Sequence, residues 1–181
     1  MSNSNSDMRD TQVLPVRVAP LRIDPAVVTD IPIILTLIRE LADFERLLDQ
    51  VIATEDRLKE TLFGERPGAE VLMARLGNEP VGFALFFHNY STFRAQPGIY
   101  LEDLYVRPAY RGRGFGEALL SRLAQLAVAR GCGRFEWSVL DWNQRAIDFY
   151  KKLGAVPLNE WTMFRVTDDA LIALSQLSVH D

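Results

Sequence analysis

The stretch "RPAYRGRGFGEALLSRLAQLAVARG", Arg107 to Gly131, sets Gly112, Gly114 and Gly116 directly before an amphipathic run. A glycine-rich turn opening a helix lets a ligand approach the backbone without Cβ interference, and the free N–H groups at the helix start attract an anion. The dinucleotide fingerprint G-x-G-x-x-G does not fit, because Glu117 stands where its third glycine belongs. The P-loop does not fit either, since no Gly-Lys-Ser/Thr closes the turn. What remains is R-x-x-G-x-G, Arg111 to Gly116, with Arg111 and Arg113 adding positive charge where a pyrophosphate would lie. The alternative is a turn whose glycines only permit a tight strand-to-helix connection.

The flanking segments place this turn in a fold. "IYLEDLYV" before it reads as a strand ended by Arg107-Pro108. Upstream, "EVLMARL" and "VGFALFFHNY" form a hairpin about Gly77-Asn78-Glu79-Pro80. "TEDRLKETLFG" is a helix capped by Thr54 and stopped near Gly64. In "TDIPIILTLIRELADFERL", Ile34, Leu37, Ile38, Leu41 and Phe44 recur at helical spacing, with Thr29 or Asp30 as cap and Pro32 tolerated in the first turn. Leu21 to Ile23 begins a short strand. Downstream come a strand in "RFEWSVL", a helix in "NQRAIDFYKKLG" capped by Asn143, a last strand in "WTMFRVT" and a short helix from Asp168. This order implies a single α/β (α+β) domain on one sheet, residues 19–181, behind a polar leader, residues 1–18, read as disordered.

Composition narrows the function. The 181 residues suffice for one sizeable core, and the net charge of -4 argues against a general nucleic-acid surface. An acidic protein suits a cationic small molecule better. The single cysteine, Cys132, excludes a disulfide framework and a cysteine-rich zinc site, and reads as a small buried residue. His88 and His180 lie far apart, so a His-based metal site or triad is not expected. No apolar run approaches the ~20 residues of a membrane span, and the N-terminus has no apolar signal core. A cytoplasmic protein is the simplest reading.

"YLEDLYVRPAYRGRGFGEALL" followed by "WSVLDWNQRAIDFYKKLGA" resembles the acyl-CoA-binding core of the GNAT N-acetyltransferase superfamily. More narrowly, it is similar to the spermidine/spermine (diamine) and thialysine N-acetyltransferase family, from about Leu21 to Val166, with "LIRELADFE" near the start and "EWTMFRV" near the end. The resemblance implies a mixed, mostly antiparallel central sheet flanked by helices and splayed near the acetyl-CoA site. It implies acetyl-CoA as donor and no metal, with its pyrophosphate wrapped by Gly112, Arg113, Gly114, Phe115, Gly116 and Glu117. Backbone groups of Leu104, Tyr105 and Val106 would hold the pantetheine arm, and Asn143, Gln144, Arg145 and Ala146 the cofactor's other side. A homodimer is implied as well.

Acetyl transfer to an amine needs a deprotonated nucleophile, since an alkylammonium with a reference pKa of ~10.4 has no lone pair to attack. Stabilisation of the carbonyl oxygen and a proton for the leaving thiolate are also required. Glu102 and Asp103 supply carboxylates in an apolar strand. In a regular strand Glu102 goes with Tyr100 and Leu104, and Asp103 with Leu101 and Tyr105. Both serve one pocket only if a bulge or strand splay re-aims one of them. The resemblance puts Glu102 at the substrate, as ligand and base, directly or through water; the alternative for either residue is an ion-paired structural carboxylate. Tyr150 shares a helical face with Asn143 and Ile147, ~10 Å from Asn143 along the axis at ~1.5 Å per residue. The general-acid tyrosine of the superfamily falls at this position; the alternative is a core tyrosine beside Phe149. Phe44, Glu45, Glu136, Trp137, Ser138, Glu160 and Trp161 align with positions lining the amine pocket. The segment from Ala155 to Trp161 is shorter than in the polyamine enzymes.

The expectation is therefore an acetyl-CoA-dependent N-acetyltransferase acting on a primary amine of a small cationic molecule, by direct attack because no activated nucleophile is evident. Its rivals are acetylation of a protein N-terminus or lysine, and a non-catalytic acyl-CoA-binding module. A pure binder needs neither Glu102 nor Tyr150.

Overall fold

The apolar stripe of the first long helix organises the molecule. In the computed structural model, which describes residues 19–177, helix α1 spans Ile31–Phe44. The leader assigned to residues 1–18, and His180, lie outside the described residues. Two compact units are present, one ending at Ser138 and the other beginning at Val139.

The first unit carries strands β1 (Leu21–Pro25), β2 (Glu70–Leu76), β3 (Glu79–Ser91), β4 (Gln96–Val106) and β5 (Phe135–Trp137), with helices α1, α2 (Glu55–Phe63) and α3 (Phe115–Ala129). The strands form one sheet in the order β1-β2-β3-β4-β5. Every pairing is antiparallel except β4 with β5, so the sheet is mixed and mostly antiparallel. Thr54 caps α2, its hydroxyl accepting from the Arg57 N–H at 3.3 Å. Asp30 stands at the N-cap position of α1, but its carboxylate turns elsewhere: it accepts from the Val27 N–H at 2.9 Å and from Arg75 at 2.6 Å.

Ile34, Leu37 and Leu41 of α1 pack with Val71, Met73, Phe83 and Tyr105 in one core cluster. Each such side chain contributes ~1.5–3 kcal/mol by leaving water. α3 packs against β4 and buries Leu119 and Leu123 completely. At the end of β4, the Arg107 guanidinium spans both carboxylate oxygens of Glu40 on α1 and donates to the Pro80 carbonyl at 2.9 Å. That clamp ties α1, the β2–β3 turn and the entry to the glycine turn together.

β4 is not a regular strand. Asp103 pairs with Leu85 and Leu101 with Phe86, so Glu102 is an extra residue opposite no partner, a β-bulge. Leu85 and Phe86 point to opposite faces, so their partners do too. Tyr100, Asp103 and Tyr105, paired with Phe87, Leu85 and Phe83, therefore share the face that holds the α1 cluster. Leu101, which a regular strand would put beside Asp103, goes to the other face.

β5 is shorter than "RFEWSVL" suggests, and only Ile99 to Leu101 of β4 pair with it. Past Leu101, β4 continues to Val106 with no strand on that edge among the described residues. The ladder opens there, as a splayed sheet requires.

The second unit holds α4 (Gln144–Lys152) and α5 (Asp168–Ser175). The expected strand in "WTMFRVT" is absent: residues 161–167 carry no strand assignment. Alternating Trp161, Met163 and Arg165 satisfy local preference, but a strand exists only within a ladder, and no described segment pairs with this one. The segment is entered by a turn in which the Trp161 N–H donates to the Leu158 carbonyl at 3.3 Å.

Candidate active site

The glycine turn lies between the open end of β4 and the start of α3. Gly112 and Gly114 have φ of 76° and 80°, in the left-handed region that glycine adopts without strain. Gly114 is the N-cap of α3, so the N–H groups of Phe115, Gly116 and Glu117 have no partner inside the helix. Gly116 is more telling, because it sits in the first turn of the helix and, unlike Gly112 and Gly114, has no positive φ that would call for glycine. A Cβ built on Gly112, Gly114 or Gly116 meets no protein atom within 4 Å. Protein packing does not demand glycine there. Empty space over exposed N–H groups at a helix start suits an anion such as a pyrophosphate.

The unpaired edge of β4 leads into this turn, and Leu104, Tyr105 and Val106 lie on it, available to an extended ligand running along the strand. Arg111 is turned back onto β4 and α1. Its Nε donates to the Val106 carbonyl at 2.8 Å, and its guanidinium lies 4.5 Å from the Phe44 ring centroid and 5.5 Å from that of Tyr105. Arg113 instead stacks on Phe115 at 5.0 Å and Tyr110 at 5.7 Å.

Three carboxylates meet where the bulge faces the C-terminal end of α1. Glu45 is the C-cap of α1, and its partial burial pushes its carboxyl up. Asp103 is pushed up to about 6, first by burial and then by the negative charges of Glu102 and Glu45. Glu102, the bulge residue, is exposed. Among the described residues, Asp103 has no hydrogen bond or ion pair. A carboxylate poised this way, in an apolar strand beside an open sheet edge, is suited to receive a cation from outside the chain.

The other expected pocket residues are placed differently. Glu136 accepts from Asn89 Nδ2 at 2.8 Å and lies 2.9 Å from Arg134 Nε, so its charge is already partnered. Trp137 is the last residue of β5, its ring 4.9 Å from Phe135. The Ser138 hydroxyl is 2.7 Å from the Tyr100 phenol. A regular strand would put Tyr100 beside Glu102, and only the bulge brings it to the face of Asp103. No local sequence signal marks it.

In the second unit, Asn143 caps α4, its Oδ1 accepting from the Ala146 N–H at 3.3 Å. Gln144 donates to Asp148 at 2.7 Å, Arg145 lies in the first turn, and Tyr150 lies about two turns past the Asn143 cap, its ring 5.4 Å from Phe149. Glu160 and Trp161 belong to the irregular segment after α4. No group of three or more His, Cys, Asp or Glu able to hold a metal ion occurs among the described residues.

The model of the Acetyltransferase (GNAT) family matches residues 36–155. A thialysine N-epsilon-acetyltransferase from Bos taurus is 42% identical over 78% of this chain and 89% of its own length. An L-ornithine N5-acetyltransferase from Arabidopsis thaliana is 36% identical over 87% of this chain and 89% of its own. Among solved structures, an integron cassette protein from the mobile metagenome of V. cholerae superposes with a TM-score of 0.74 at 25% identity, covering 87% of this chain and 98% of its own. The family match spans the end of α1, the bulged strand, the glycine turn and α4 together, and on that ground the chain belongs to the GNAT acetyltransferase family and is an N-acetyltransferase.

Proposed function

We propose that this enzyme transfers an acetyl group from acetyl-CoA to a primary amine of a small cationic molecule, by direct attack while both substrates are bound. The observation that carries the reading is the unpartnered Asp103, flanked by Glu102 and Glu45, beside an open strand edge that runs into the glycine turn. In this reading the N–H groups of Phe115, Gly116 and Glu117 hold the pyrophosphate. Backbone groups of Leu104 to Val106 align the pantetheine and polarise the acetyl carbonyl, and Asn143 to Ala146 of α4 flank the cofactor. Tyr150 gives a proton to the departing thiolate. Relatives bearing the names thialysine and L-ornithine acetyltransferase support an amino-acid-sized acceptor.

The acidic pocket also limits which amine reacts well. Negative charge attracts the acceptor and its second cationic group, but it stabilises the reactive ammonium and raises its pKa. An amine that is already less basic gains most at neutral pH. Thialysine has such an amine, because its sulfur withdraws electrons near the terminal nitrogen while the α-ammonium supplies the second charge. Across a panel of thialysine, ornithine, short diamines, spermidine, spermine and lysine peptides, thiol-release kinetics should give thialysine or a short diamine the highest kcat/KM. Spermine or a lysine peptide as the best acceptor would overturn the acceptor assignment.

A further inference from the structure

Beyond the bulge, the face that carries Asp103 continues toward the β3–β4 hairpin, and its chemistry changes along the way. Asp103 lies beside Leu85, and the next residue of β4 on this face is Tyr100, beside Phe87. Those two rings, 5.2 Å apart between centroids, form an aromatic floor. Gly98 follows on the same face, paired with Asn89. A Cβ on Gly98 would collide with Asn89 Oδ1 and the Arg134 stem, so the glycine makes room for a polar island over the strand. β5 supplies the rest. Glu136, beside Tyr100, accepts from Asn89 at 2.8 Å and pairs with Arg134 at 2.9 Å, and the Ser138 hydroxyl is hydrogen-bonded to the Tyr100 phenol.

This island keeps polar capacity that the chain does not use. The side chains of Arg134 and Glu136 remain 35% and 29% exposed. A guanidinium has five N–H donors, and among the described residues only Glu136 and the Tyr90 carbonyl, 3.2 Å away, engage Arg134. Its Nε, although close to Glu136, makes no hydrogen bond there, and neither does Asn89 Oδ1; both atoms are buried. Such atoms are costly, and folded proteins keep few of them. In the Tyr100–Ser138 pair one hydroxyl donates to the other, which leaves one O–H free to donate.

Charge decides the ligand. The bulge end of the face is purely anionic, with Glu102, Asp103 and Glu45, whereas the island sets one cation beside one anion. A lone ammonium gains little at the island, because Arg134 repels what Glu136 attracts. An ammonium and a carboxylate on one carbon satisfy both. Resting on the N-acetyltransferase reading above, we propose that the island is a subsite for the α-amino-acid end of the acceptor. Arg134 takes the α-carboxylate, Glu136 and the Tyr100–Ser138 hydroxyls take the α-ammonium, and the Phe87–Tyr100 floor carries the apolar stem. The lengths agree. Asp103 and Tyr100 are separated by ~7–10 Å at ~3.3 Å per strand residue. Thialysine covers ~7–8 Å from its terminal nitrogen to its carboxylate carbon, at ~1.5 Å per bond in an extended zigzag.

The substrate pair that isolates this subsite is thialysine and bis(2-aminoethyl) sulfide, the same molecule without its carboxylate. The reacting arm is identical in both. In thiol-release kinetics, wild type should prefer thialysine by ~10-fold or more in kcat/KM, the scale of charge-assisted hydrogen bonds to a carboxylate. Arg134→Gln should shrink that preference by ~10–100-fold, through KM for thialysine rather than kcat. Comparing variant with wild type cancels any difference in amine basicity between the two compounds. Arg134→Lys should restore only part, because an ammonium lacks the planar fork. If Arg134→Gln melts far below wild type, Arg134→Gln combined with Glu136→Gln is read in its place, since it leaves no lone charge behind. Thialysine methyl ester needs no variant, and in wild type it should behave like the diamine. Two results overturn the proposal: wild type that uses the diamine or the ester as well as thialysine, or a folded Arg134→Gln enzyme with the wild-type preference. Wild type that acetylates none of the three compounds would overturn the functional reading as well, so the two failures are distinguishable.

Discussion

Tyr150→Phe is expected to lower kcat by ~10²–10⁴ with little change in CoA affinity, the range for loss of a general acid. The substitution keeps the ring that lies 5.4 Å from Phe149 and removes only the hydroxyl. The helix carrying it is fixed independently. Asn143 caps its start, Lys151 and Lys152 in its last turn complement the dipole, and Gly154, at φ 89°, ends it. None of these depends on the phenol, so α4 should form normally in the variant. Expulsion of an unprotonated thiolate is harder, and the loss should fall on the chemical step. Single-turnover measurements at saturating acetyl-CoA isolate that step even if product release limits the steady state. Wild-type single-turnover rates would make Tyr150 a packing residue.

Gly116→Leu is expected to separate folding from cofactor binding. Leucine is a better helix former than glycine by roughly 0.5–1 kcal/mol, and a Cβ at this position meets nothing in the protein. The variant should therefore melt at or above the wild-type temperature. Its side chain would occupy the space assigned to the pyrophosphate and cost one or two charge-assisted hydrogen bonds, weakening CoA by ~10–100-fold. Gly116→Ala, with one added carbon, should lose less. Calorimetry with CoA reads the affinity, and a stable Gly116→Leu protein with unchanged affinity would remove the pyrophosphate from this turn. Gly114 is a poorer probe, because at φ 80° any side chain adds strain of its own.

How far the sequence could be read follows from the range of the interactions involved. Helices α1 and α2 were legible because their apolar spacing and the Thr54 cap act within a few residues. The glycine turn was legible for the same reason. The bulge was not. "IYLEDLYV" alternates acceptably as a regular strand, and the extra residue at Glu102 is fixed only by the register against β3. Asp103 consequently keeps Tyr105 as a face-mate but exchanges Leu101 for Tyr100. The partners of Glu136 were hidden too, since Asn89 is 47 residues away in the chain. The same reasoning covers the segment 161–167: local preference favoured a strand there, and no described ladder partner meets it.

The most direct test of the account is an initial-rate study with purified enzyme, acetyl-CoA and thialysine, following free thiol and acetylated amine together by mass spectrometry. Direct transfer predicts equal amounts of thiol and acetylated amine, no thiol without the amine, and intersecting double-reciprocal lines when both substrates are varied. Parallel lines with an acetylated protein intermediate, or thiol released without acetylated amine, would contradict it.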